Sequence, residues 1–143
     1  MARTWLNANT MYEDFPIYFR RPDVRVAEFD ALQPAYPRLL VVTHMLAQVK
    51  SNGLPESDYN DSLLPLDQML TVPFREPSNG LIAVIETFAG KRTYYIYLTP
   101  SFDADAFVDA VRRGFPHETL EHEVEDDPDW RLFRGYAKDF QFP

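Results

Sequence analysis

The segment HETLEHE, at positions 117–123, carries the densest set of side chains that could bind a metal ion. It reads as part of a strand, so His117 and His122, an odd number of positions apart, would face opposite sides. A single ion could not reach both without a bulge, and hard cations usually draw oxygen ligands from a shaped loop. Because the chain also lacks cysteine, thiolate chemistry is excluded. The sequence predicts no metal site.

An acidic row is the clearest candidate for a binding surface. Glu121, Glu123 and Glu125 share one face of the predicted strand, and Asp126 follows directly. Such a row either discourages pairing at a sheet edge or attracts a partner protein with a basic surface. Both interpretations stay open, and these four residues are our first candidates for partner binding.

Catalytic residues are not evident. His44 lies in an apolar run, which favours a hydrogen-bonded core histidine over a catalytic base, although a functional role for His44 or His122 stays open. No serine lies in a Gly-x-Ser-x-Gly turn, and five glycines leave no phosphate-cradling loop. Asp127 and Asp129 suit helix capping, because a helix N-terminus stabilises ionised carboxylates. We predict no catalytic residue and no cofactor, which favours a protein that is not an enzyme.

The overall charge limits the class of partner. The formal net charge is −8, so phosphate backbones and anionic membranes should be repelled. Arg20, Arg21 and Arg25, together with Lys91 and Arg92, could bind an anion, but we interpret them as scattered surface charges. The start of the chain lacks the apolar run of a signal peptide, and no stretch reaches membrane-spanning length. We expect a cytoplasmic protein.

Tyr95 and Tyr97 are further candidates for contact with a partner. They lie where the third strand of an RNA-recognition domain carries base-stacking aromatics, but the glycines of that motif are missing and the net charge is unfavourable. We therefore expect them to pack beneath another element or a second subunit. The apolar face that they share with Leu39–Leu46 suggests a homodimer, unless the terminal segments of the same chain cover it.

The elements that position these residues form a recognisable order. Residues 1–143 are predicted to form a single α+β domain with a ferredoxin-like antiparallel sheet (βαββαβ), an extra N-terminal strand and a short C-terminal helix, and both crossing helices are expected on one face of the sheet. The predicted strands are Tyr12–Arg20, Arg38–Leu46, the two arms of Leu81–Leu98, and Glu118–Glu125. One helix follows Ser57 and is interrupted by Pro65. A second is capped by Asp103 and ends at Gly114, which is predicted to be a left-handed C′ residue, and the last helix carries Trp130.

The end of the chain carries a family resemblance. Asp127-Pro128-Asp129-Trp130, the aromatic Phe133 and the terminal Phe142-Pro143 resemble the ending of a bacterial domain-of-unknown-function family, number 695, which is similar to the RraB-like regulators of ribonuclease E. The resemblance implies a ferredoxin-like fold, no established catalytic residues and a protein-binding or regulatory role. The alternative is a small-molecule-binding protein or enzyme with a pocket between the sheet and the C-terminal segment.

Overall fold

The computed structural model describes residues 5–12, 15–22, 25–74 and 79–140. Its strands are β1 (Trp5–Tyr12), β2 (Phe15–Pro22), β3 (Arg38–Met45), β4 (Gly80–Phe88), β5 (Lys91–Leu98) and β6 (Thr119–Asp126). Its α-helices are α1 (Ser57–Ser62), α2 (Leu64–Thr71), α3 (Ala104–Gly114) and α4 (Arg131–Asp139). Short 3₁₀ helices span Val26–Ala31, Gln33–Ala35 and Val72–Phe74.

The six strands form one antiparallel sheet in the order β1-β2-β4-β5-β3-β6. The α+β class and the antiparallel pairing of β3 with β5 are therefore confirmed. β3 lies between β5 and β6, and its residues are almost continuously apolar because both of its faces are covered by other elements. β6 is an outermost strand, so one of its long sides has no neighbouring strand among the residues that the structure describes.

The strand β1 is not predicted by the sequence, which indicates no element before Tyr12. The polar residues Asn7, Asn9 and Thr10 show no buried stripe, and all three are exposed. β1 pairs along its whole length with β2, which moves β2 from the predicted edge into the sheet. Pro16 is tolerated there because the ladder between β2 and β4 covers only Tyr18–Arg20.

The helices α2 and α3 cover one face of the sheet, hereafter the helix face. Leu66 and Leu70 of α2 and Val108 and Val111 of α3 are buried against it. The predicted break near Pro65 is confirmed, since α1 ends at Ser62 and α2 begins at Leu64 with the proline in its first turn. The Asp103 carboxylate caps α3 by accepting from the Ala106 amide at 3.0 Å. Gly114 is the last helical residue and has no positive φ, so its predicted left-handed conformation is wrong.

The opposite face, hereafter the tail face, is covered by α4 and by residues 26–36, which include the first two 3₁₀ helices; Phe74 of the third packs in the helix-face core. Trp130, Phe133 and Phe29 are fully buried there against Tyr97 and Leu39. The aromatic residues near the end of the chain supply this second core, as the apolar character of both sheet faces requires. The layers are therefore helices, sheet and a C-terminal cover.

A β-bulge in β4 changes which residues share a face. Strict alternation predicts that Ile82, Val84 and Phe88 lie together, but the pairing with β5 shifts between Ile82 and Val84. Ile82 packs in the helix-face core, whereas Val84 and Phe88 pack on the tail face. That part of the prediction is wrong, because the extra residue of a bulge interrupts the alternation of side chains. The loop after β4 has positive φ at Ala89 (52°) and Gly90 (83°), as the hairpin requires.

Candidate functional site

The acidic edge, which we define as Glu121, Glu123, Glu125 and Asp126, lies on the outermost strand β6. All four side chains are exposed, and none of them forms an ion pair with any residue that the structure describes. The three glutamates point to the tail face, while Asp126 belongs to the alternate set that includes Leu120 and faces the helices. The structure thus places three of the four candidates in one exposed row.

The two tyrosine candidates are not on a free surface. Tyr97 has no exposed area, and its ring stacks on Trp130 with centroids 4.2 Å apart. Tyr95 is half-buried beside Tyr136 of α4, and burial raises its pKa to about 12. The chain's own C-terminal helix covers the face on which the homodimer prediction was based. Homodimerisation stays a prediction, without that basis.

Tyr97 instead holds the tail in place. Its hydroxyl donates to Asp127 Oδ2 at 2.7 Å, and the same carboxylate accepts from the backbone amides of Arg131 (2.8 Å) and Leu132 (3.2 Å) at the start of α4. Asp127 therefore caps the first amides of α4, as predicted, but the helix begins at Arg131, so Trp130 is its N-cap residue and is not carried within it as predicted. Trp130 has a left-handed φ of 53°, which is unfavourable for a bulky residue; its stacking and the bond from Nε1 to the Tyr36 carbonyl at 2.8 Å offset this cost.

His44 is a core histidine, as expected. It is fully buried, and its Nε2 lies 2.9 Å from Glu118 Oε1, which also accepts from the Tyr59 hydroxyl. Burial lowers the pKa of His44, and the bond to Glu118 only partly opposes this. Burial also raises the pKa of Tyr59 to about 12. Because solvent does not reach the imidazole, this network is suited to fixing the chain rather than to proton transfer with a substrate.

His122 is held between two charged residues of α3. Arginine can only donate, so His122 Nδ1 accepts from Arg112 at 3.0 Å and Nε2 donates to Asp105 at 2.7 Å. His117 lies before β6 and is exposed. Among the residues that the structure describes, no three histidine, aspartate or glutamate side chains converge as metal ligands.

A cleft of about 690 Å³ lies on the helix face, between α1–α2 and strands β2, β4 and β5. The predicted location for a pocket, between the sheet and the C-terminal segment, is filled by Trp130 and Phe133 and is therefore wrong. The cleft forms because the sheet extends through β2 and β1 beyond the two helices. No histidine lines it.

The inner wall of the cleft is a buried polar cluster. Asp67 of α2 is 7% exposed, and its Oδ1 accepts from the Tyr94 hydroxyl at 2.6 Å and from Arg20 Nη2. Burial raises the pKa of Tyr94 strongly, so its hydroxyl stays protonated and donates. No described residue donates to Asp67 Oδ2. Arg20, which the sequence predicts to be a scattered surface charge, belongs to this wall.

Arg92 forms the second polar part of the cleft. Its Nε donates to Thr87 Oγ1 at 3.0 Å and its Nη2 to Asn60 Oδ1 at 2.7 Å. Both partners are uncharged, and Arg92 makes no ion pair within the described part of the chain. Sequence reasoning noted both Arg20 and Arg92, but only the register across β2, β4 and β5 brings them to one cleft.

The outer rim of the cleft is attached to the β4–β5 hairpin. The Gly90 amide donates to the Gly53 carbonyl at 2.8 Å, and the Leu46 amide donates to the Gly90 carbonyl at 2.9 Å. Gly53 has a φ of 86°, and a Cβ there would lie 2.8 Å from Ala89 Cα. Glycine is therefore required for the close approach that fixes the loop carrying Lys50 and Leu54.

The comparisons with known proteins identify the family. The model of a family described as "Family of unknown function (DUF695)" matches residues 3–137. The chain belongs to this family. No curated protein and no solved structure matched it. In the described residues, no helix is both long and apolar enough to cross a membrane.

Proposed function

We propose that this member of the DUF695 family is a cytoplasmic protein-interaction or regulatory module that binds a basic protein surface through the acidic edge. The observation that supports the proposal is the row of exposed glutamates on an outermost strand. No positive side chain in the described residues neutralises the row, so its charges act together on an approaching partner.

The electrostatics favour a protein partner over nucleic acid. With a formal net charge of −8, the molecule attracts cationic surfaces and repels phosphate backbones. The free side of β6 also offers backbone groups to which an extended segment of a partner can pair. Charge would then set the rate of encounter, and strand pairing would set the orientation.

We also infer that the part of the chain from β3 to β6 has the ferredoxin-like arrangement and that the family is related to the RraB-like regulators of ribonuclease E. The order β6-β3-β5-β4, with helices after β3 and β5 on one face, supports the first inference. The Asp-Pro-Asp-Trp tail and the acidic charge support the second. This analogy favours a regulatory role without identifying a partner.

The test begins with a partner recovered by pull-down from the native host and then measures its association rate with the purified domain. The rate should fall about tenfold or more as salt is raised to physiological ionic strength. The double variant Glu121→Gln/Glu123→Gln should bind more slowly at low salt. The matched control, Glu28→Gln/Glu56→Gln, makes the same charge change at two exposed positions outside β6 and should leave most of the rate intact.

Two outcomes would contradict the proposal. An unchanged rate for the Glu121→Gln/Glu123→Gln variant, combined with increased self-association in light scattering, would mean that the row only prevents edge pairing. Tight binding of single-stranded RNA by the parent protein would show that the partner is a nucleic acid and not a protein.

A further inference from the structure

The cleft on the helix face differs in charge from the acidic edge. Arg20, Lys50 and Arg92 contribute cations to its lining, against the carboxylates of Asp61 and Asp67. We propose that this cleft binds a small molecule through an oxyanion group, a phosphate or a carboxylate, on Arg92, with hydroxyl or amine groups of the ligand donating to Asp67.

The size and lining of the cleft suit a small ligand. Its volume of about 690 Å³ lies within the range of roughly 300–1,000 Å³ that is usual for ligand pockets. Leu54, Leu63 and Ile85 provide apolar wall between the polar groups. Because the rim is hydrogen-bonded to the β4–β5 hairpin through Gly53 and Gly90, the cleft is formed before any ligand arrives.

Arg92 has the properties of an oxyanion anchor. Thr87 and Asn60 orient its guanidinium through two hydrogen bonds but leave its charge unneutralised. Nη1 makes no hydrogen bond with a described residue, so it can donate to a ligand. A planar guanidinium that is already oriented loses little entropy when it binds a carboxylate or phosphate. Lys50, exposed at the rim, adds a second cation.

Asp67 supplies the complementary acceptor. Tyr94 and Arg20 fix the carboxylate through Oδ1, which leaves Oδ2 for a donor on the ligand. A carboxylate oxygen that faces a cleft is a strong acceptor and selects for molecules that carry a hydroxyl or amine in addition to the anionic group. The cleft therefore favours polar bifunctional molecules over simple anions.

The first experiment titrates the isotopically labelled parent protein with inorganic phosphate, and separately with acetate, and follows backbone and arginine side-chain NMR signals. Saturable shifts should centre on Arg92, Thr87 and Asn60, with a dissociation constant on the order of 1 mM for probes this small. Arg92→Gln should weaken phosphate binding about tenfold or more. Arg113→Gln removes the same charge from an exposed position on α3 and should change the affinity for phosphate little.

Several results would overturn the proposed anchor. Absence of saturable shifts with both probes, or equal weakening by Arg92→Gln and Arg113→Gln, would show that there is no specific oxyanion site. If the spectrum of Arg92→Gln shows that the fold is lost, the phosphate titration is repeated with the variant Lys50→Gln, which changes an exposed residue at the rim. This variant should weaken phosphate binding several-fold, and unchanged affinity would count against the cleft.

The second experiment tests the acceptor by comparing glycerol 3-phosphate with inorganic phosphate. The parent should bind the hydroxyl-bearing molecule more tightly, and Asp67→Asn should reduce the ratio of the two affinities, because the ligand hydroxyl loses its carboxylate acceptor. Equal affinities for the two probes in the parent, or an unchanged preference in the variant, would exclude Asp67 as the group that selects the ligand.

Discussion

Tyr94 and Tyr97 lie on opposite faces of β5, and each donates its hydroxyl to an aspartate that is only 7% exposed. On the tail face, Tyr97 bonds to Asp127, whose two oxygens also accept from backbone amides of α4. On the helix face, Tyr94 bonds to Asp67, whose other partner is the side chain of Arg20. The same pair of residue types thus serves two different environments.

The difference lies in what surrounds each aspartate. Asp127 is enclosed by the aromatic core around Trp130 and holds the start of a helix, so its hydrogen-bonding capacity is used within the chain. Asp67 borders a cleft and keeps one oxygen without a donor from the described residues. A buried polar pair is therefore structural where its acceptors are all occupied, and it becomes a candidate site where one acceptor faces a cavity.

The largest expected effect concerns the anchor of the tail face. Trp130→Ala should lower the free energy of unfolding by about 3–5 kcal/mol, because it removes a fully buried ring that stacks on Tyr97. Chemical denaturation followed by far-UV circular dichroism measures this loss. Tyr18→Ala, an exposed aromatic on β2, should cost about 1 kcal/mol or less. Equal denaturation midpoints for Trp130→Ala and the parent would mean that the tail does not form a core.

The comparison of the two aspartates gives a second, smaller effect. Asp127→Asn should destabilise the fold by about 1–3 kcal/mol, because one carboxylate oxygen is replaced by a donor that faces other donors. Asp67→Asn should cost less, since its Oδ1 can still accept from Tyr94 and Arg20 while the new amide faces the cleft. Urea denaturation of both variants measures the difference. Equal losses would show that both oxygens of Asp67 depend on donors within the chain, as those of Asp127 do.

The parts of the fold that could be predicted from the sequence are those that depend mainly on local sequence patterns. Local patterns predicted α3 with its Asp103 cap and the break at Pro65, because each depends on neighbouring residues, and the order of the elements predicted the antiparallel sheet. The polar strand β1 and the bulge in β4 were missed, because pairing with β2 and β5 determines them.

The candidate sites divide in the same way. The acidic edge lies on one strand, so alternation along β6 was enough to place its glutamates together. The cleft combines Arg20, Asp67 and Arg92 from β2, α2 and β5, which are far apart in the sequence. No spacing rule connects them; only the strand order and the position of α2 do.

The pH dependence of stability should include an acid-sensitive part from the helix face. Burial lowers the pKa of His44 below its usual 6.5, against the opposing effect of Glu118, with Arg92, Asp67 and Tyr59 also nearby. The contribution of His44 to the free energy of unfolding is complete above pH 6.5 and is lost as the pH falls through the lowered pKa. This single group can lower the free energy of unfolding by at most about 1.4 kcal/mol for each pH unit.

Denaturation midpoints measured from about pH 7 down to about pH 5 test this expectation. His44→Gln, which retains a donor for Glu118 but cannot titrate, should flatten the decline. His117→Gln is the control at an exposed histidine and should follow the parent. A decline of the same slope in His44→Gln and the parent would assign the acid sensitivity to other groups.

The smallest expected effect has the opposite sign and lies on the tail face. Glu86 is half-buried, and burial raises its pKa, although the hydrogen bond from the Tyr136 hydroxyl opposes the shift. The contribution of Glu86 to stability is complete below the ordinary pKa of a glutamate and is lost as the pH rises through the raised pKa. At neutral pH, burial of the ionised carboxylate therefore lowers the free energy of unfolding. Glu86→Gln should raise the denaturation midpoint slightly at neutral pH, and this gain should disappear near pH 4, whereas the exposed control Glu56→Gln should show no such trend. If Glu86→Gln instead destabilises the protein at neutral pH, the bond from Tyr136 to the ionised carboxylate outweighs the cost of its burial, and both faces of the sheet would then share the same response to pH.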